Sequence, residues 1–171
     1  MQNFRRVAST PNTSDSYGVR LNAPLSRKNR LTFNFQRQGR DAENQQLFGF
    51  RDSTDGSGLS GSIGWSHSFM PRLNSSANLS ISRNNNAFLP YFAYRENIAG
   101  ALGITGTSQD PINYGPPNLS FTSFGSLTDG SASVTRNQTM AFSENVTWVF
   151  HRKHNFTFGF NFRKMQQNSL T

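Results

Sequence analysis

The sequence contains no cysteine, so neither a disulfide nor a cysteine-ligated metal can stabilise its fold. It also has no apolar run close to the roughly 20 residues that a transmembrane helix requires. Leu, Ile and Val are scarce, and hydrophobic residues of all kinds make up only 34% of the chain. These absences exclude a disulfide-rich secreted scaffold and a helical membrane protein, and they leave little material for an ordinary soluble core.

What the chain has in abundance is phenylalanine, asparagine and serine. There are 16 phenylalanines, and Asn and Ser together number 41 of the 171 residues. The run FTFGFNF places Phe156, Phe158, Phe160 and Phe162 at every second position. Alternate side chains of a β-strand point to opposite faces, so this run predicts a strand with one phenylalanine face. The phenylalanine face must contact either a protein core or lipid.

The same alternation recurs along the chain and predicts six strands. No segment shows a helical period over more than a few residues, and a possible seventh strand lies around Leu119 to Leu127. In MAFSENVTWVF only Glu144 interrupts the apolar face, so it lies either near a rim or at a bulge that shifts the register. The alternating segments are YGVRLNA, LTFNFQR, LSGSIGWSHSF, ANLSIS, MAFSENVTWVF and FTFGFNF.

Short and long connections alternate between these strands. Hairpins are predicted at about 15–38, 59–84 and 133–166, and each turns through a few residues. Long loops are predicted at about 39–58 and 85–131. Outer-membrane barrels have short periplasmic turns and longer extracellular loops. We therefore expect residues 85–131 to be extracellular and the three short turns to be periplasmic.

The pattern favours an all-β fold made of antiparallel up-and-down hairpins of a transmembrane outer-membrane β-barrel. A soluble sandwich would also alternate, but it would not need polar faces made almost entirely of Ser, Thr, Asn, Gly and Gln. Closed membrane barrels have at least eight strands, so about six strands predict a partial barrel. The N-terminal residues also lack the apolar segment of a signal peptide, which indicates either a cytoplasmic protein or a piece of a longer precursor, and the strand count favours the piece.

The basic charge does not indicate a nucleic-acid-binding protein. The net charge is +8, but six of the basic residues lie in the turn-like stretches PLSRKNR, MPRL and HRKHN, and the others are scattered singly. Proteins that bind single-stranded RNA place aromatic and basic side chains on one face, whereas the aromatic face here is almost uncharged. The sequence therefore predicts no nucleic-acid partner.

No motif predicts catalysis, a metal or a cofactor. His151 and His154 lie in a basic turn without a nearby carboxylate, and Asp52 and Asp55 precede a glycine without the closing glutamate of an EF-hand loop. We therefore expect a protein that is not an enzyme. Aromatic residues of the long loop are the candidates for substrate contact, and they are Tyr91, Tyr94 and Tyr114.

Several stretches resemble the barrel region of TonB-dependent receptors, and the Oar-like group in particular. They are the hairpins SRKNRLTFNFQR and HRKHNFTFGFNF and the loop INYGPPNLSFTSFGSLTDG, which precedes an alternating strand. In the Oar-like group a carboxypeptidase-regulatory-like domain commonly precedes the plug. The resemblance implies a barrel of about 22 strands, an internal plug, and uptake driven by the TonB complex of the inner membrane.

Two functions from different classes therefore remain open. The first is transport, in which this chain is a segment of an outer-membrane TonB-dependent receptor that takes up an extracellular substrate. Its partners would be outer-membrane lipid and, through a plug outside this segment, the TonB complex. The second is a secreted β-rich adhesin or carbohydrate-binding module whose aromatic side chains stack on sugars.

Overall fold

The computed structural model describes residues 7, 9–123, 125–151 and 154–170, and most of them are in β-strands. No helix among these residues is long and apolar enough to cross a membrane. The long strands are β1 (Asn12–Pro24), β2 (Asn29–Gln45), β3 (Arg51–Met70), β4 (Leu73–Leu89), β7 (Ser133–Phe150) and β8 (His154–Leu170). The short elements are helix α1 (Ile98–Ala101), a 3-10 turn (Pro111–Asn113), and strands β5 (Leu119–Phe121) and β6 (Gly125–Leu127).

The six long strands form one antiparallel sheet in the order β1-β2-β3-β4-β7-β8. Each strand pairs with the next long strand in sequence, which is the up-and-down arrangement that the alternating segments predict. The sheet is not closed, because β1 and β8 lie at its two edges. The all-β, partial-barrel prediction is confirmed. The possible seventh strand is wrong as a member of this sheet, because β5 and β6 pair only with each other.

The register places the apolar side chains in continuous cross-strand rows on one face. One row runs across all six strands and consists of Leu21, Phe33, Ile63, Leu79, Phe142 and Phe162. We call this side of the sheet the apolar face. Many of its large side chains are exposed, including Phe158 and Phe160 at 60% each, and no large side chain of the described residues is fully buried. The sheet therefore has no core of its own and needs an apolar environment outside it.

The height of the apolar face matches the hydrocarbon layer of a membrane. On β7 the face runs from Met140 to Phe150, which is about 34 Å along a strand that rises about 3.4 Å per residue. With the tilt of about 40° that is usual in membrane barrels, this length projects to about 26 Å along the membrane normal. The apolar band of outer-membrane barrels is about 25 Å tall, so the two heights agree.

The stagger of the apolar residues indicates such a tilt. On β1 the apolar side chains begin at Tyr17, whereas on β8 the corresponding end is Phe162, two rows further along the ladder. With strands about 4.8 Å apart, this drift across the sheet corresponds to a tilt of about 30°. A band perpendicular to the barrel axis must cross tilted strands in this staggered way.

The loop predicted at 39–58 is mostly strand. β2 continues to Gln45 and β3 begins at Arg51, so the connection is only a short turn around Gly49, whose φ is 96°. The prediction was wrong because hydrophobic alternation ends at the edge of the apolar band, whereas backbone pairing does not need it. All three hairpins are longer than predicted for the same reason. The long loop predicted at 85–131 accordingly runs over 90–132, between β4 and β7.

The long connection between β4 and β7 is folded. The buried hydrophobic residues of the described chain all lie in it, and they are Phe92, Ala93, Ala99, Ile112 and Ala132. The side chain of Asn97 accepts a hydrogen bond from the Gly100 backbone N–H and caps α1. The connection is therefore a small packed unit at the end of the sheet opposite the three short turns.

Candidate functional site

Aromatic side chains collect on the apolar face near the short turns. The ring centroids of Trp148 and Phe150 are 5.1 Å apart, and those of Trp148 and Phe156 are 6.1 Å apart. On β3, His67 lies between Trp65 and Phe69, with centroids 5.6 and 4.4 Å away. Rows of aromatic rings at one margin of an apolar band are typical of the interface between hydrocarbon and lipid headgroups.

Glu144 lies within the apolar face, and it is neither at a rim nor at a bulge. The ladder shows a register shift only between Ser68 and Met70, and Glu144 pairs with Ala77 on β4 and with Phe160 on β8. Its Oε1 accepts a hydrogen bond of 3.3 Å from the Ser75 hydroxyl, and Ser75 is only 5% exposed. A neighbouring polar side chain therefore partly compensates for the carboxylate on this face.

The opposite side of the sheet, which we call the polar face, carries hydroxyl and amide side chains linked across strands. Arg20 Nε donates to Asn34 Oδ1 at 2.9 Å, and Asn34 Nδ2 donates to Ser62 Oγ at 3.3 Å, which connects β1, β2 and β3. A recess of about 540 Å³ lies along this face and is lined mainly by serine, asparagine, glutamine and arginine side chains. Such a surface is suited to contact with water or a polar ligand.

The charge of the polar face is almost entirely positive. In the six long strands it carries four arginines, no lysine and no glutamate, and its single carboxylate is Asp52. Asp52 is 7% exposed and lies at the end near the long connection. The four arginines are Arg20, Arg30, Arg40 and Arg163. The middle of the polar face therefore favours an anionic or neutral polar occupant.

One glutamine joins the long connection to the end of the sheet. Gln46 Nε2 donates to both oxygens of Asp52, at 2.8 and 3.0 Å, and also to Oδ1 of Asp129. The backbone N–H of Tyr91 donates to Asp52 Oδ1 at 2.9 Å. Burial raises the pKa of Asp129, and the nearby Asp52 charge raises it further, although hydrogen bonds from Gln46 and the Gly130 backbone oppose the shift. This cluster holds the long connection against the β2–β3 turn.

The three candidate tyrosines differ in their surroundings. Tyr91 packs within the connection, with ring centroids 5.0 Å from Phe50 and 5.1 Å from Phe92 and the Arg95 guanidinium 4.4 Å above its ring. Tyr94 is 61% exposed and has a φ of 60°, and Tyr114 is half-buried. Tyr94 is thus the most accessible ring of the three, and their contact with a substrate stays a prediction.

The two possible metal motifs of the sequence, Asp52 with Asp55 and His151 with His154, do not form a metal site in the described residues. Asp52 lies on the polar face, whereas Asp55 lies on the opposite face beside Asp41, so the two cannot share an ion. His151 and His154 are both exposed, and Arg152 and Lys153 of that turn lie outside the described residues. No group of three or more metal-binding side chains occurs in the described part of the chain.

The sequence patterns missed the Gln46–Asp52–Asp129 cluster, because Gln46 and Asp129 are 83 residues apart and no local signal joins them. Of the arginines of the polar face, only Arg20 stands within a predicted alternating segment, because Arg30 and Arg163 lie just outside their segments and Arg40 lies in the predicted loop 39–58. Basic residues that are far apart in the sequence lie together on one face only because the strand register aligns them.

Comparison with known proteins agrees with this geometry. A family model described as outer membrane beta barrel domain matches residues 1–171, which is the whole chain. No curated protein gives a significant match. The open antiparallel sheet with one apolar and one polar face is the architecture expected for part of such a barrel, and it locates the protein in the outer membrane of a Gram-negative bacterium. The chain belongs to the outer membrane β-barrel domain family.

Proposed function

We propose that this chain is part of the wall of a TonB-dependent receptor of the Oar-like kind, which takes up a substrate across the outer membrane. The observation that carries the proposal is the division of the sheet into a lipid-facing apolar band and a continuous polar face that would line the lumen. The resemblance of the two hairpins to TonB-dependent receptors supplies the finer assignment. The family model supports only the coarser class, an outer-membrane barrel, and favours it over a secreted adhesin or carbohydrate-binding module.

In this proposal the polar face contacts a plug or a passing substrate. The arginines there provide donors for carboxylate, phosphate or hydroxyl groups, and the Ser and Asn side chains provide weaker, exchangeable hydrogen bonds. The folded connection 90–132 stands at the extracellular mouth, where Tyr94 is accessible to a ligand. The TonB complex would act through a plug outside this segment, and no catalytic role is proposed.

Conductance of the intact parent protein in planar bilayers tests the proposal. A TonB-dependent receptor should be closed in its intact form and should open a large pore when the plug is deleted. A freely conducting intact protein would indicate a porin, and a protein that stays closed without the plug would indicate a barrel that serves as an anchor. The flanking reading frame should encode the plug upstream and further hairpins downstream.

A further inference from the structure

One carboxyl group lies near the middle of the apolar face. Glu144 is the third of the six side chains that β7 places on this face between Met140 and Phe150. It therefore lies about 14 Å along the strand from the nearer end of the apolar band, or about 10 Å in depth at the usual tilt. Polar lipid headgroups lie outside the hydrocarbon layer. Glu144 is thus surrounded by hydrocarbon wherever lipid covers this face.

The hydrogen bonding of this carboxyl group is incomplete. The Ser75 hydroxyl donates to Oε1 of Glu144 at 3.3 Å, and Ser75 is the only hydrogen-bond partner of Glu144 among the described residues. Hydrocarbon disfavours an ionised carboxylate, whereas a neutral carboxyl group has one O–H donor in addition to its acceptor oxygens. That donor needs an acceptor, which neither the described part of the sheet nor an acyl chain supplies.

The side chains on the two sides of Glu144 differ in size. On β4 its neighbours are Ser75, which is 5% exposed, and Ala77, which lies in the same ladder row. On β8 its neighbours are Phe158 and Phe160, which are each 60% exposed. The face therefore has a depression over β4 and a ridge over β8, with the carboxyl group between them. We call these five residues the Glu144 patch.

The Glu144 patch is complementary to a copy of itself. Two barrels in one membrane have the same orientation, so a two-fold axis that relates them runs along the membrane normal and keeps every residue at its depth. With the axis beside Glu144, β4 of one barrel faces β8 of the other. The strand tilt brings Phe158 and Phe160 to the depth of Ser75 and Ala77, so each ridge lies against the depression of the other copy. The two Glu144 side chains then meet at the axis.

We propose that the Glu144 patch is a dimerisation site, at which a second copy of the barrel docks within the membrane. The O–H group of each Glu144 donates to a carboxyl oxygen of the other, so each barrel completes the hydrogen bonding that its copy lacks. An acyl chain would fill the depression but has no acceptor for this donor. Small side chains in the depression allow the two sheets to approach closely.

The inference rests on the lipid-facing assignment of the apolar face and does not depend on TonB-driven transport. Association is separate from folding and depends on the density of barrels in the membrane. Vesicles that contain few barrels therefore contain single barrels, whose apolar face contacts lipid.

Energy transfer between intact barrels labelled with donor or acceptor dyes, measured in vesicles over a range of protein-to-lipid ratios, tests this proposal. Glu144→Leu removes the hydrogen bond and leaves an apolar side chain, whereas Glu144→Gln keeps a donor and an acceptor that can pair with themselves. Ala77→Phe fills the depression. Its matched control is Ala23→Phe, which makes the same change in the same ladder row but on β1, three strands from β4.

We expect Glu144→Leu and Ala77→Phe each to weaken self-association at least about tenfold, and Glu144→Gln and Ala23→Phe to change it less than about threefold. Energy transfer no greater than that between unrelated barrels at the same density would overturn the proposal, as would equal effects of Ala77→Phe and Ala23→Phe. If Ala77→Phe does not fold, unchanged association of Glu144→Leu is sufficient to refute it.

Disulfide cross-linking in the same vesicles, with an added oxidant and a parent chain free of other cysteines, tests the position of the axis. Ala77→Cys in one copy should form a cross-link with Phe158→Cys in another, because the two positions face each other across the axis. Neither variant should cross-link to itself. Self-cross-linking of either variant, or no mixed cross-link, would contradict an axis beside Glu144.

Discussion

The assignment of the two faces is tested most directly by placing arginine on each side of β8. Phe158 is 60% exposed on the apolar face, opposite Val146, and Val146 lies near the middle of the band that runs from Met140 to Phe150. Thr157 is its neighbour in sequence, lies on the polar face and pairs with Thr147. Phe158→Arg and Thr157→Arg therefore differ mainly in the face to which they bring the charge.

Arginine at the bilayer midplane of a barrel costs about 2–4 kcal/mol, whereas a substitution on a solvated surface usually costs within about 0.5 kcal/mol. The two variants should therefore differ by roughly 2–3 kcal/mol, or about 30–150-fold in the folding equilibrium. The free energy of unfolding can be measured by denaturant titration of the intact barrel in lipid vesicles, with tryptophan fluorescence as the signal. Equal losses at the two positions would refute the assignment of the faces.

A soluble core would also reject Phe158→Arg, so Phe158→Leu is the necessary control. A lipid-facing position predicts a nearly neutral effect in vesicles and no folded state in lipid-free buffer, because lipid fills the space that the ring leaves. A packed protein core predicts a cavity penalty of about 1 kcal/mol or more and folding without lipid. Folding of the variant in plain buffer would contradict the lipid-facing position.

Glu144 provides an internal check on the same strand. Phe160→Arg would place a guanidinium directly opposite this carboxylate, so it should cost less than Phe158→Arg. Opposite charges across a strand pair contribute about 0.2–1 kcal/mol at exposed sites and more where water is excluded. A double-mutant cycle with Glu144→Gln measures this coupling, and a coupling of zero would show that the carboxylate does not face that position.

Four further outcomes are expected. The isolated chain should be insoluble without detergent because its apolar face is exposed, and a monodisperse monomer in plain buffer would contradict the membrane assignment. In whole cells, Leu102→Cys should react with an impermeant thiol reagent and Arg27→Cys should not, whereas the reverse pattern would invert the topology. Gln46→Leu should release the long connection and increase its cleavage by protease, while unchanged cleavage would show that the Asp52 and Asp129 contacts do not hold it. Because the pKa of Asp129 is raised in the folded state, that state binds the proton more tightly than the unfolded state does. Protection of the connection from protease should therefore increase as pH falls through the folded pKa towards the unfolded pKa. Asp129→Asn should remove this pH dependence, and an unchanged pH dependence would assign it to another group.

The strands inside the membrane could be predicted from the sequence, because there each residue faces either lipid or the lumen. Apolar and polar residues therefore alternate along each strand, as they do from Phe156 to Phe162, and the structure confirms a strand there. Beyond the band both faces of a strand are solvated, so residues 39–45 and 51–58 carry no alternation although their backbones remain paired. The error in the loop at 39–58 has this physical cause.

The remaining features depend on alignment between strands that are distant in sequence. The arginines of the polar face come from β1, β2 and β8, and each looks like an isolated charge until the register is known. The stagger of the apolar rows contains part of that information, since a band of constant depth can cross tilted strands only at shifted positions. The long connection offers no equivalent rule, because the hydrogen bonds of Gln46 to Asp52 and Asp129 arise only when two separate turns pack together.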